Sequence, residues 1–113
     1  MGKIRCIYSV EGDVQKKRFR VHLSVYAQKI GLVGYAKNIR NGSVEVLVEG
    51  DEDVVDNFYN FMFAPLVRGR VEKINKKLRE TIPEVYRRTF AILTESRHEQ
   101  HIRTSRNNYH KFF

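Results

Sequence analysis

Residues 10–20 read VEGDVQKKRFR, a short stretch holding a glycine, three consecutive cations and a closing arginine. Two readings of it stand open. Lys16, Lys17 and Arg18 form a solvated basic face, or the stretch is a loop that turns its backbone N–H groups inward around an anion. In the second reading Arg20 closes the loop and adds charge-assisted hydrogen bonds to phosphate oxygens. A second chemical candidate is Asn38, within GYAKNIRNGSVEVLVEG at residues 34–50. Its amide both donates and accepts, so it can orient a water without taking the water's proton. The competing reading is an asparagine that bonds only its own neighbours at a turn. Cys6 shares the apolar phase of Ile4, Tyr8 and Val10, which marks a core residue rather than a nucleophile.

The elements that must position these residues are legible in the periodicity. Residues 3–10 alternate apolar and polar, the pattern of a half-buried strand. Phe19, Leu23, Ala27 and Ile30 then recur at helical spacing, and Gly31 follows where a C-terminal cap belongs. The basic stretch therefore falls between a strand and the first turn of a helix, where the helix dipole also favours an anion. Two β-rich runs flank Asn41-Gly42, a hairpin signal. Asp51, Glu52 and Asp53 place negative charge at the start of a second helix. That helix continues on the face of Val54/Val55, Phe58 and Phe61/Met62 until Pro65 ends it. Gly69–Ile74 reads as a further strand, Asn75–Glu84 as a polar connection, and Tyr86–Thr94 as a last strand.

The order β-α-β-β-α-β, with one added strand, describes two βαβ halves. It predicts an α+β protein, a split ferredoxin-like sandwich with an antiparallel sheet and both helices on one face. In that arrangement the first and third strands are central, and the second pairs with the third. One domain is expected over residues 1–95, with residues 96–113 as a basic extension.

Composition narrows the partners. Hydrophobic residues make up 42% of the 113, which excludes wholesale disorder. No apolar run approaches the length of a membrane span. MGKIRCIYSV carries charges where a signal peptide needs an apolar segment, and the single cysteine fits a reducing compartment. A cytoplasmic monomer is expected. Residues 1–65 carry a net charge of +1 and residues 66–113 a net of +7, so the second half favours an anionic partner. Nucleic acid is the less favoured candidate, because RGRVEKI at 68–74 and the first strand lack the aromatic motifs of RNA-binding sandwiches. His98 and His101, with no cysteine nearby, make a poor metal set, and no metal or other cofactor is expected.

Residues 34–50 resemble the signature of the acylphosphatase family at Gly34, Tyr35, Ala36, Lys37, Asn38, Gly42, Val44 and Gly50. The opening stretch is similar to the family's other signature at Val10, Gly12, Val14, Gln15, Phe19 and Arg20. The resemblance implies metal-independent hydrolysis of the carboxyl–phosphate bond of small acyl phosphates. It also implies roles. Arg20 binds the phosphoryl group, with the loop of Gln15, Lys16, Lys17, Arg18 and Phe19 cradling it, and Asn38 orients the attacking water. Lys16-Lys17 stands where the family usually has Gly-Val. Two added cations strengthen attraction for phosphate, whereas a side chain at a positive-φ position costs about 1–2 kcal/mol. A non-catalytic module of the same fold, binding anions or nucleic acid through its basic loop and second half, is the alternative.

Overall fold

A computed structural model describes residues 2–15, 18–64 and 70–96. Lys16, Lys17, Pro65, Gly69, and all of the basic extension except Ser96, lie outside the described residues. The described chain runs β1 (Lys3–Gly12), α1 (Phe19–Ile30), β2 (Val33–Asn38), β3 (Val44–Asp51), α2 (Glu52–Phe61), β4 (Val71–Ile82) and β5 (Phe90–Thr94). The strands form one sheet in the order β4-β1-β3-β2-β5, with β1 and β3 inside it as the split βαβ pattern requires. No helix among the described residues is long and apolar enough to cross a membrane.

Both helices pack on one face. Alternation in β1 sends Ile4, Cys6, Tyr8 and Val10 to that side, where they meet Phe19, Leu23 and Ala27 of α1 and Val55 and Phe58 of α2. The opposite face carries a smaller cluster of Ile7, Tyr35 and Leu47. At the end of α1 the Leu32 N–H bonds the Ala27 carbonyl at 2.8 Å and the Gly31 N–H bonds that of Gln28, so Gly31 caps the helix as its position implied. The hairpin between β2 and β3 turns through Asn41-Gly42. Asn41 Oδ1 accepts from the Ser43 backbone N–H at 2.9 Å, and Gly42 adopts φ 97°.

Three features differ from the sequence reading, each for a tertiary reason. β4 continues through the polar stretch to Ile82, because it is an edge strand with one neighbour and much of its length exposed. An edge strand needs no apolar alternation and is protected by its charges. β5 begins at Phe90 rather than Tyr86, because the preceding residues bond elsewhere. The N–H groups of Tyr86 and Arg87 donate to Glu49 Oε1 at 2.8 and 3.0 Å. Last, β5 pairs with β2 in parallel, so the sheet is mixed rather than antiparallel throughout.

That parallel pairing requires the chain to cross from one sheet edge to the other, and residues 83–89 do so over the helix-free face. Going across, Tyr86 lies over Arg5 of β1, its N–H meets Glu49 of β3, and Arg87 lies over the ring of Tyr35 of β2. Glu49 is 1% exposed and also bonds Arg5, with Arg5 Nη2 at 2.7 Å. Burial pushes its carboxyl up. The N–H groups of Arg87 and Tyr86 and the Arg5 guanidinium outweigh that and hold it below the usual carboxylate range. The crossing delivers the end of β5 to the sheet end where β2 also finishes.

Candidate functional site

Four chain ends meet there: the end of β1, the start of α1, and the ends of β2 and β5. The loop from β1 to α1 is anchored by two buried side chains, Val14 and Phe19, the latter 1% exposed in the main core. Phe19 therefore reaches an anion only through its backbone. Gln15 makes a third anchor. Its Nε2 donates to the carbonyls of Ile39 and Ser43 at 2.5 and 2.7 Å, tying the loop to the β2–β3 hairpin. The Gln15 side chain is thus a brace, and its backbone is what remains for a ligand.

Arg18 stands at the N-terminal boundary of α1 with φ 71° and ψ 14°, left-handed values unusual for a residue with a side chain. Its carbonyl accepts from His22 N–H at 2.8 Å, closing the first helical turn. The first-turn N–H groups have no partner within the helix, no acidic side chain lies in that turn, and no side chain among the described residues caps it. The positive end of the dipole is left facing the loop, as an anion site needs.

Arg20 extends from this turn to β5. Its Nη1 donates to the Leu93 carbonyl at 2.6 Å and to Thr94 Oγ1 at 3.3 Å. Nε and Nη2 carry three further N–H donors that can meet an oxyanion as a fork. Asn38 is paired with Thr94 in the β2–β5 ladder. Arg20 and Asn38 therefore reach the same corner from different elements. Asn38 Oδ1 is buried and has no hydrogen-bond partner among the described residues. A buried amide carbonyl without a donor costs on the order of 1–3 kcal/mol, so this oxygen is an acceptor open to an O–H or N–H donor. The Asn38 backbone is held by Glu95, whose N–H donates to the Asn38 carbonyl at 2.8 Å. The Glu95 carboxylate, 4% exposed, accepts from Arg40 N–H at 2.9 Å.

Of the residues picked out by type and spacing, Gln15, Arg18, Phe19, Arg20 and Asn38 gather at this sheet end, and Lys16 and Lys17 lie outside the described residues. Leu93, Thr94 and Glu95 were missed. No local signal marks them, since only the crossing of residues 83–89 brings them beside Asn38. Cys6 is 1% exposed, and burial pushes its thiol and the neighbouring Tyr8 phenol up. Neither is poised as a nucleophile or base. Among the described residues no group of three or more His, Cys, Asp or Glu side chains is placed to hold a metal ion.

A family model described as Acylphosphatase matches residues 6–92. A protein named Acylphosphatase from Aliivibrio fischeri is 39% identical over 71 residues, covering 63% of this chain and 79% of that protein. One of the same name from Yersinia pseudotuberculosis is 35% identical over 92 residues, covering 81% of this chain and 98% of the relative. The crystal structure of acylphosphatase from Bacillus subtilis superimposes with a TM-score of 0.66 at 27% identity, over 79% of this chain and 97% of that one.

Proposed function

The chain belongs to the acylphosphatase family, a family of hydrolases, and from that premise we propose that it cleaves small acyl phosphates to a carboxylate and phosphate by attack of water at phosphorus. The observation that carries the reading is the meeting of Arg20 with Asn38, whose buried Oδ1 lacks a partner among the described residues.

The phosphoryl group sits in the loop between β1 and α1, against the first-turn N–H groups and the Arg20 fork. The Nη1 bonds to β5 hold that fork before substrate arrives, so little reorganisation is needed. Asn38 Oδ1 accepts a hydrogen from the attacking water and directs an oxygen lone pair at phosphorus. The water oxygen forms the new P–O bond. The bond from phosphorus to the acyl oxygen breaks, and its electron pair leaves on the carboxylate. A carboxylate is a weak base and needs no general acid. Phosphoryl transfer of this kind passes through a loose transition state, in which positioning and charge stabilisation supply most of the catalysis. The proton of the attacking water is lost to phosphate or solvent once the P–O bond has formed. Lys16 and Lys17 add two positive charges to the same loop and strengthen attraction for the dianion.

The purified 113-residue chain should release phosphate from benzoyl or acetyl phosphate in the presence of a metal chelator. Arg20→Ala and Asn38→Ala should each lower kcat by about 10²–10³, the range seen when one oriented polar group is lost, while the fold is retained by circular dichroism. A wild-type chain inert toward both substrates, or full activity in Asn38→Ala, would overturn the proposal.

A further inference from the structure

The end of β5 does more than complete the sheet. Thr94 and Asn38 are direct partners in the parallel ladder. Side chains of paired strand residues leave the sheet on the same side. Both therefore lie on the helix side, which is where Arg20 arrives from α1. Arg20 Nη1 spends one hydrogen on the Leu93 carbonyl and the other on Thr94 Oγ1. A single hydrogen bond lets a planar guanidinium swing about the bond axis. A second acceptor on the same nitrogen fixes the plane, and with it the direction of the Nε and Nη2 donors.

We propose that Thr94 is a positioning residue of this site, its hydroxyl setting the plane of the Arg20 guanidinium relative to the Asn38 amide. The neighbouring contacts make this a shared clasp. Leu93 and Thr94 hold Arg20, while Glu95 holds the Asn38 carbonyl through its N–H and Arg40 through its carboxylate. Leu93 and Thr94 at the end of β5, with Glu95 just after it, thus hold the Arg20 guanidinium and the Asn38 backbone and set their separation. Thr94 is exposed, so its hydroxyl is placed for this contact rather than for core packing. The consequence for phosphate rests on the proposed function, whereas the contact itself does not.

Two arms test it in the 113-residue chain. The first needs no ligand: in ¹⁵N-arginine-labelled protein, the Arg20 Nη groups should rotate slowly by NMR. Thr94→Val should speed that rotation and Thr94→Ser should restore it. The second arm titrates inorganic phosphate. Thr94→Val should weaken binding about three- to tenfold, the range of an ordinary hydrogen bond and below that of a short charged one, as the 3.3 Å length implies. Thr94→Ser should bind as wild type. In an Arg20→Ala background, Thr94→Val should change affinity less than about twofold, because its effect runs through the guanidinium. Unchanged Arg20 rotation in Thr94→Val overturns the inference, as does an equal loss of affinity with and without Arg20. A wild-type chain that binds no phosphate counts against the proposed function, and the rotation arm then still decides the role of Thr94.

Discussion

Gln15 is the side chain through which the loop between β1 and α1 is braced against the hairpin that follows Asn38, and replacing it should loosen both. Its Nε2 bonds the carbonyls of Ile39 and Ser43. Each carbonyl has a second partner: Gly42 N–H reaches Ile39 O at 3.0 Å, and Ile39 N–H reaches Ser43 O at 2.9 Å. Removing the amide therefore strands no buried acceptor. The loss is the net value of two hydrogen bonds, about 1–2 kcal/mol in total. For a chain of this size that lowers Tm by roughly 4–8 °C. Gln15→Glu should be worse at pH 7, because it aims a carboxylate at two carbonyl oxygens with no donor between them. Its charged form is disfavoured in the fold, so its folded pKa lies above the unfolded value. The destabilisation is then full above the folded pKa and shrinks as pH falls through it. Thermal melts of wild type, Gln15→Ala and Gln15→Glu between pH 7 and pH 4 read all of this. Phosphate titration should show weaker binding in both variants. Gln15→Ala as stable as wild type, or Gln15→Glu as stable as wild type at pH 7, would refute the brace.

Arg18→Gly should raise stability by about 0.5–1 kcal/mol in urea unfolding, because relief of the left-handed backbone exceeds the entropy that glycine adds to the unfolded chain; a loss would mean that the Arg18 side chain outweighs its backbone strain. Gly34→Ala should cost more than about 4 kcal/mol, since a Cβ there lies 1.8 Å from the Leu47 carbonyl oxygen of the paired strand at φ 147°. Gly42→Ala, with nothing within 4 Å, should cost only the positive-φ strain of about 1 kcal/mol. Equal expression and Tm for the two alanine variants would contradict the packing of β2 on β3. Glu49→Gln bears on acid stability. The lowered carboxyl pKa contributes stability that is whole above the ordinary value of about 4.3 and is lost as pH falls through the folded value. Wild type should therefore lose stability below about pH 4 more steeply than Glu49→Gln, and parallel denaturation curves from pH 7 to 2.5 would exclude Glu49 as a source of that loss.

What local chemistry could specify, the sequence alone determined. Alternation in residues 3–10, the helical spacing of Phe19, Leu23 and Ala27, the cap at Gly31 and the turn at Asn41-Gly42 are short-range signals, and each formed its element. They were enough to place Arg20 at the start of α1 and Asn38 at the end of β2. Long-range pairing decided the rest. The polar residues 75–82 became strand because an edge needs a partner on one side only. Tyr86 and Arg87 left the strand pattern because a buried carboxylate on β3 claimed their N–H groups. Gln15 and Thr94 acquired their contacts for the same reason. A hydrogen bond between residues 24, 28 or 74 positions apart leaves no trace in local periodicity. Only the crossing over the helix-free face carries β5 beside β2 and closes the corner in which Arg20 and Asn38 meet.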